Sequence, residues 1–285
     1  MYRFPIGVIV ESFRKETHEA ILAAKAMGAQ GLQMYCTTGE HAPENFSKEA
    51  RRELLDFVKS NGLCFSAICG DLGRGFGHAE LNPELIEKSK RIMDLAKELE
   101  TDIVTTHIGV VPSDPNHPRY KVMQEACFQL AQYADSIGSH FAVETGPETS
   151  LVLKGFLDSL GSRGVGVNLD PANLCMVTGD DPVGAVYNLR DYIVHTHAKD
   201  GNRLAVGNPE YIYGAVHPVP EEFQGIKYFE EVPLGTGSVP FPAYLKALED
   251  IGYRGFLTIE RECGANPEGD IKTAFDHLTG VMDAN

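Results

Sequence analysis

The chain alternates, eight times over, between short apolar runs and longer stretches with helical spacing, and this rhythm limits its fold more than any other feature. The apolar runs are residues 5–10, 31–35, 63–68, 102–107, 140–144, 164–170, 192–197 and 255–260. The helical stretches are 17–27, 47–61, 83–100, 120–137, 150–160, 182–189, 240–251 and 271–282. Pro83 and Pro182 occupy first-turn positions, and Gly28, Gly138 and Gly252 follow last turns. Strands that alternate with helices make βαβ units and a parallel sheet. Eight units in 285 residues predict a single (β/α)8 TIM barrel spanning residues 1–285. A doubly wound open sheet is the competitor, but no Gly-x-Gly-x-x-Gly follows the first strand.

Side chains alternate across a strand, so residues two apart share a face. Ile103, Thr105 and His107 fall on one face, as do His140, Ala142 and Glu144, and Gly166, Asn168 and Asp170. His195 pairs in this way with His197, and Phe256 with Thr258 and Glu260. The opposite faces carry Val104, Val143, Val167, Leu169, Val194, Leu257 and Ile259, expected to pack beneath the helices. A one-residue slip would reverse the assignment. One segment, about 201–232, breaks the rhythm with aromatic residues and prolines after the seventh strand. It is expected to be a long insertion at the rim, serving as a lid or as a subunit contact.

Composition narrows the partners. A net charge of −15 argues against nucleic acid and anionic membranes. No stretch approaches the roughly 18 apolar residues of a membrane span, and the N-terminus reads as a strand rather than a signal peptide. Six cysteines without a C-x-x-C pair fit a cytoplasmic protein free of disulfides.

Parallel barrels build their sites at the C-terminal strand ends. The fourth to eighth ends here supply His107, Glu144, Asp170, His197 and Glu260, all on the inward parity. Carboxylates facing one another inside a barrel repel and partly protonate unless a cation holds them. Glu144, Asp170, His197 and Glu260 are therefore expected to bind one divalent metal ion. Three carboxylates and one imidazole favour manganese or magnesium, with cobalt workable and zinc admissible. A metal chelated by a carbonyl and an adjacent hydroxyl acidifies the C–H between them and stabilises the enediolate. Glu144 and Glu260 stand three strands apart, so one can remove a proton while the other returns one.

The strand ends Val-Glu-Thr at Glu144, Asn-Leu-Asp-Pro-Ala-Asn at Asp170, His-Thr-His-Ala-Lys-Asp at His197 and Thr-Ile-Glu-Arg at Glu260 resemble the xylose isomerase-like barrels. Gly235-Thr-Gly237 is similar too, and the resemblance runs in order along nearly the whole chain. That family groups sugar isomerases and epimerases with endonuclease-IV-type proteins. Ketose 3-epimerases of the tagatose/psicose type use a Glu, Asp, His, Glu metal set whose glutamates act as acid and base. The resemblance thus implies those roles for Glu144 and Glu260. It also implies that Arg203, six residues after His197, holds substrate oxygens. Asn173 stands where that group carries a histidine; it can bond a hydroxyl but cannot take a positive charge. His107 resembles a zinc ligand of the endonuclease branch. Asn173 replaces another of those ligands, however, and no Asp-x-His pair precedes Glu260. His107 then reads as a substrate-binding residue, His195 as an interior histidine, and Lys199 as a substrate contact or a rim residue. The loop 69–77 reads as a glycine-rich rim loop, and Glu11, Glu40 and His41 as polyol contacts or rim polarity.

The expected function is a metal-dependent isomerase or epimerase of a sugar, keto-sugar or polyol. The alternative is a lyase or dehydratase of a keto-inositol or related keto-sugar. An endonuclease and a non-catalytic carbohydrate-binding barrel rank below both. The resemblance also implies a homo-oligomer, a dimer or tetramer.

Overall fold

In the computed structural model, which describes residues 1–216 and 218–284, the alternation closes into a barrel. The barrel strands begin with β1 (Ile6–Ile9), β2 (Gly31–Tyr35), β3 (Cys64–Cys69) and β4 (Ile103–Thr106). They continue with β5 (His140–Glu144), β6 (Val165–Leu169) and β7 (Ile193–Ala198). Next come β8 (Asp200–Arg203) and β9 (Phe229–Val232), a separate antiparallel pair. β10 (Leu257–Ile259) then closes the ring between β7 and β1. All eight barrel strands run parallel, so the fold is a single (β/α)8 TIM barrel.

The outer helices are α1 (Thr17–Met27), α2 (Lys48–Ser60), α3 (Asn82–Glu98), α4 (Pro118–Ser136) and α5 (Ser150–Asp158). After the short turn α6 (Pro171–Asn173) come α7 (Pro182–Asn188), the single turn α8 (Pro209–Ile212), α9 (Phe241–Asp250) and α10 (Pro267–Asp283). Their ends follow local chemistry. Ser47 accepts from the Ala50 amide and starts α2. Asp181 accepts from the amides of Val183 and Gly184, with Pro182 opening α7. Gly28, at φ 93°, ends α1 in the left-handed region.

The outward parity is as expected for Val104, Val143, Val167, Leu169, Leu257 and Ile259, all buried beneath helices. Val194 differs. Its side chain lies 2.6 Å from where a Gly166 Cβ would stand, on the inner face. The pairing of β6 with β7 shifts between Val167 and Asn168, and Val194 is the extra residue. Phe256 fills the bottom of the barrel, where a Cβ on Gly31 would fall 2.4 Å from its ring.

Above it lies a polar layer. Gln33 donates to the Thr105 hydroxyl at 3.2 Å, and its carbonyl oxygen accepts from the ring of His195 at 2.9 Å. Burial holds His195 neutral, down to a pKa of about 3, so it is an interior hydrogen-bonding residue. The six cysteines are unpaired. No helix among the described residues is long and apolar enough to cross a membrane.

Candidate metal centre

The top layer of the barrel interior gathers Glu144, Asp170, His197 and Glu260, all buried, with one ligand atom from each lying within 4.8 Å of the others. Each reaches that place by the period-2 rule on its own strand. His197 is the hub. Its Nδ1 lies 3.5 Å from Glu144 Oε1, 3.5 Å from Asp170 Oδ2 and 3.2 Å from Glu260 Oε2. Its Nε2 lies 3.2 Å from Gln33 Oε1. Asn168 Nδ2 lies 3.1 Å from the same nitrogen, so Nε2 is held among side-chain amides while the carboxylates face Nδ1. A second hydrogen bond of this kind fixes ring and tautomer in metal-binding histidines.

The carboxylates are held as carefully. Asn168 donates to Glu144 Oε2 at 3.1 Å, and Asn173 to Glu144 Oε1 at 3.1 Å. Asp170 Oδ1 accepts the Asn173 amide at 2.9 Å, capping α6, while Oδ2 is buried without a hydrogen-bond partner. The Thr145 hydroxyl accepts the Asp170 amide at 2.8 Å, tying the ends of β5 and β6 together. Lys199 donates to Glu260 Oε2 at 3.0 Å and also pairs with Glu262.

Burial alone would protonate these acids. For Glu260, Lys199 and His197 outweigh that and hold the carboxyl well below its usual range. For Glu144, His107 and His197 do the same more weakly. Burial prevails at Asp170 and pushes its carboxyl up. Burial also disfavours the His197 cation, but Glu260 and Glu144 hold its proton affinity well above ordinary. An orphaned buried carboxylate oxygen among three acids and one imidazole suits a divalent cation, and the cluster could hold one.

The cluster opens into a cavity of about 280 Å³. Of the residues expected to bind substrate, His107, Asn173 and Lys199 line it. His107 Nε2 lies 3.6 Å from Glu144 Oε1. Arg203 is placed elsewhere: its Nη1 donates to the Thr178 carbonyl at 3.1 Å, and it lines a neighbouring hollow. Glu11, Glu40 and His41 do not line the cavity either; Glu11 Oε1 accepts the Tyr35 amide at 3.0 Å. The 69–77 loop packs on the end of β4, where Phe76 donates its amide to the Ile108 carbonyl.

Several lining residues escaped sequence reasoning: Tyr35, Asp71, Tyr213, Phe229 and Glu231. Tyr213 and Phe229 come from the segment between β7 and β10, of which residue 217 lies outside the described residues. The Tyr213 ring packs edge-on to His107, with centroids 5.7 Å apart. The ends of the segment are tied to each other and to the barrel. The Asp200 carboxylate accepts the amides of Gly235, Gly237 and Val239. Arg261 ties Glu231 of β9 to Asp270 of α10.

Comparison with known proteins agrees with this architecture. Over 140 residues the chain is 30% identical to the rhizopine catabolism protein MocC of Rhizobium meliloti, a match covering 48% of this chain and 40% of that protein. The matched segment thus spans less than half of the curated relative. A xylose isomerase domain protein from Planctomyces limnophilus superposes with a TM-score of 0.79 at 26% identity, covering 99% of this chain and 97% of that one. The probable 3-DHS dehydratase AsbF of Bacillus anthracis gives 0.76 at 21% identity, covering 96% and 98%. Epimerases and isomerases stand among the other structural neighbours. The profile of the Xylose isomerase-like TIM barrel family matches residues 21–281, and the chain belongs to that family.

Proposed function

We propose that the protein is a divalent-metal-dependent isomerase or epimerase of a sugar, keto-sugar or polyol, moving a proton next to a carbonyl. One observation carries the reading. Two glutamates, Glu144 and Glu260, come from strands three places apart in the ring and meet at one buried imidazole, at the floor of a cavity of about 280 Å³. Glu144, Asp170, His197 and Glu260 would hold the ion. Bound there, it would polarise a substrate carbonyl and the neighbouring hydroxyl and so acidify the C–H between them.

The chain's own residues supply the rest. Glu260, kept ionised by Lys199, is suited to take a proton from carbon. Glu144 approaches from the other side of the cavity, its oxygens aimed by Asn168 and Asn173; held ionised by His107 and His197, it must take up a proton from water before it can return one to carbon. His107 is in reach of Glu144 and of a substrate oxygen. Tyr213 covers His107 and reduces the water in the cavity, which strengthens every charge interaction inside.

A lyase or dehydratase is the second reading, favoured by the phenol of Tyr213 in the same cavity as Glu144, a group that could hydrogen-bond a departing hydroxyl. Proton NMR of the magnesium-loaded protein in D₂O, with ketoses, aldoses and keto-inositols, separates the two. Deuterium next to the carbonyl supports the isomerase or epimerase, and a new enone or diketone the dehydratase. Stoichiometric metal with neither signal on any compound counts against both.

A further inference from the structure

Beside the cavity lies a second hollow of about 380 Å³, built from the segments after β4, β5 and β6 and from β8 with the loop after it. Two of its polar groups lack the partners that burial demands. Glu148 is 6% exposed, and its Oε1 has no hydrogen-bond partner, while Oε2 meets only the Val111 amide at 3.3 Å. Arg203 spends Nη1 on the Thr178 carbonyl, and its buried Nε has no partner. Polar groups buried in this way are normally satisfied by protein, water or a ligand. The mechanism above uses neither residue.

Both hollows share Val177 as a lining residue, and the short stretch 209–213 contributes residues to each. Ile212 and Tyr213 face the catalytic side, Pro209 and Glu210 the other. Arg119 pairs with Glu210 and so anchors this stretch.

We propose that the second hollow is a binding subsite for a hydroxylated group carried beyond the reacting unit, so that the substrate is a two-part molecule such as a glycosylated ketose. The inference rests on the reading of the first cavity as a sugar site. A sugar ring offers both donors and acceptors: one oxygen accepts from the neutral carboxyl at Glu148 Oε1 while another accepts from Arg203 Nε. The orphaned atoms are then satisfied, and the order of the two hollows sets which end of the substrate meets Glu144 and Glu260.

The test is saturation-transfer NMR on the full chain with turanose, maltulose and isomaltulose, using fructose as the one-ring comparison. At least one disaccharide is expected to receive saturation in both rings and to bind about tenfold more tightly than fructose. Glu148→Leu and Arg203→Met, the one on the loop after β5 and the other on β8, are each expected to lose the signal of the glucosyl ring and keep that of the ketose ring. Saturation confined to the ketose ring, a glucosyl signal that survives both variants, or no binding by any disaccharide overturns the subsite. Deuterium exchange from D₂O is read on the same samples. Two-ring binding without exchange supports the subsite and removes the reaction assigned to Glu144 and Glu260.

Discussion

The Nζ of Lys199 stands 3.0 Å from Oε2 of Glu260, and Glu262 takes another side of the same ammonium. Lys199 and Glu260 are 5% and 7% exposed, so neither charge has much water to fall back on. Removing one partner of such a pair leaves the other charge buried, at a cost of several kcal/mol. Lys199→Met is expected to destabilise the chelator-treated protein by about 3 kcal/mol. Added manganese should restore much of that loss, since a cation at the cluster takes over the compensation of Glu260. Thermal unfolding with chelator and with manganese checks this, and an equal loss in both conditions contradicts it.

Gly146 and Tyr213 form a second tight pair. A Cβ at Gly146 would stand 2.4 Å from Tyr213 Oη, so even alanine must push the phenol out. Gly146→Ala is expected to raise KM about tenfold, with a smaller fall in kcat, because the roof over His107 is displaced. Tyr213→Ala in the same chain relieves the clash, and adding Gly146→Ala to it should then cost little. Steady-state kinetics of the two single variants and the double variant check the coupling; fully additive losses are the contrary result.

These two pairs mark what was legible in the sequence. Glu144, Asp170, His197 and Glu260 stand at the C-terminal ends of strands, where a period of 2 aims every second side chain inward. Their convergence follows once the ring closes. Helix ends are readable for a similar reason: Asp181-Pro182 and Gly28 act through their own backbone. Tyr213 comes from an irregular segment without a period, and only its seat against Gly146 reveals its direction. The sense of Arg203 was hidden too. It lies on β8, whose antiparallel partner β9 is 26 residues further on, from Arg203 to Phe229, and that pairing turns it toward Thr178. Val194 was misplaced because a strand bulge, invisible to simple alternation, shifts the parity of β7.

Burial at Glu148 pushes its carboxyl up to about 8. Below the ordinary value of 4.5, folded and unfolded chains both hold this proton, and above about 8 both have lost it. In between, the folded chain binds more protons, so stability falls as pH rises through that window. The loss amounts to a few kcal/mol at about 1.4 kcal/mol for each tenfold difference in proton affinity. Glu148→Gln keeps an acceptor for the Val111 amide and removes the charge. It is expected to be more stable than the parent at pH 8 and about equal at pH 4.5. Urea unfolding of both proteins across this range checks the difference; a constant offset speaks against a buried neutral carboxyl.

At the opposite end of the barrel, Phe256 occupies the space a side chain on Gly31 would need. Gly31→Ala brings Cβ to 2.4 Å from the ring and forces strand or ring to move. Overpacking of this kind costs about 1–3 kcal/mol. Phe256→Leu alone leaves a void, yet combined with Gly31→Ala it should recover part of the loss, a coupling visible in denaturant unfolding of the four proteins.

The cluster itself predicts how metal, proton and stability are linked. A cation that binds the folded chain alone stabilises it by about 4 kcal/mol at a thousandfold excess over Kd, and chelation should lower Tm accordingly. The His197 imidazole, facing three carboxylates through Nδ1, holds its proton unusually tightly. A metal taking Nδ1 must displace that proton, so affinity is expected to rise with pH and binding to release protons. Asp170 contributes a buried cluster oxygen with no protein hydrogen-bond partner, and its other oxygen caps α6. Asp170→Asn can preserve the cap through its amide oxygen while removing the charge, so the fold should survive and manganese affinity should fall about a hundredfold, roughly 2.7 kcal/mol. Calorimetric titration in buffers of different ionisation heat measures affinity and proton release together. Unchanged affinity in the variant, or binding that releases no protons in the parent, would place the ion somewhere other than among these four residues.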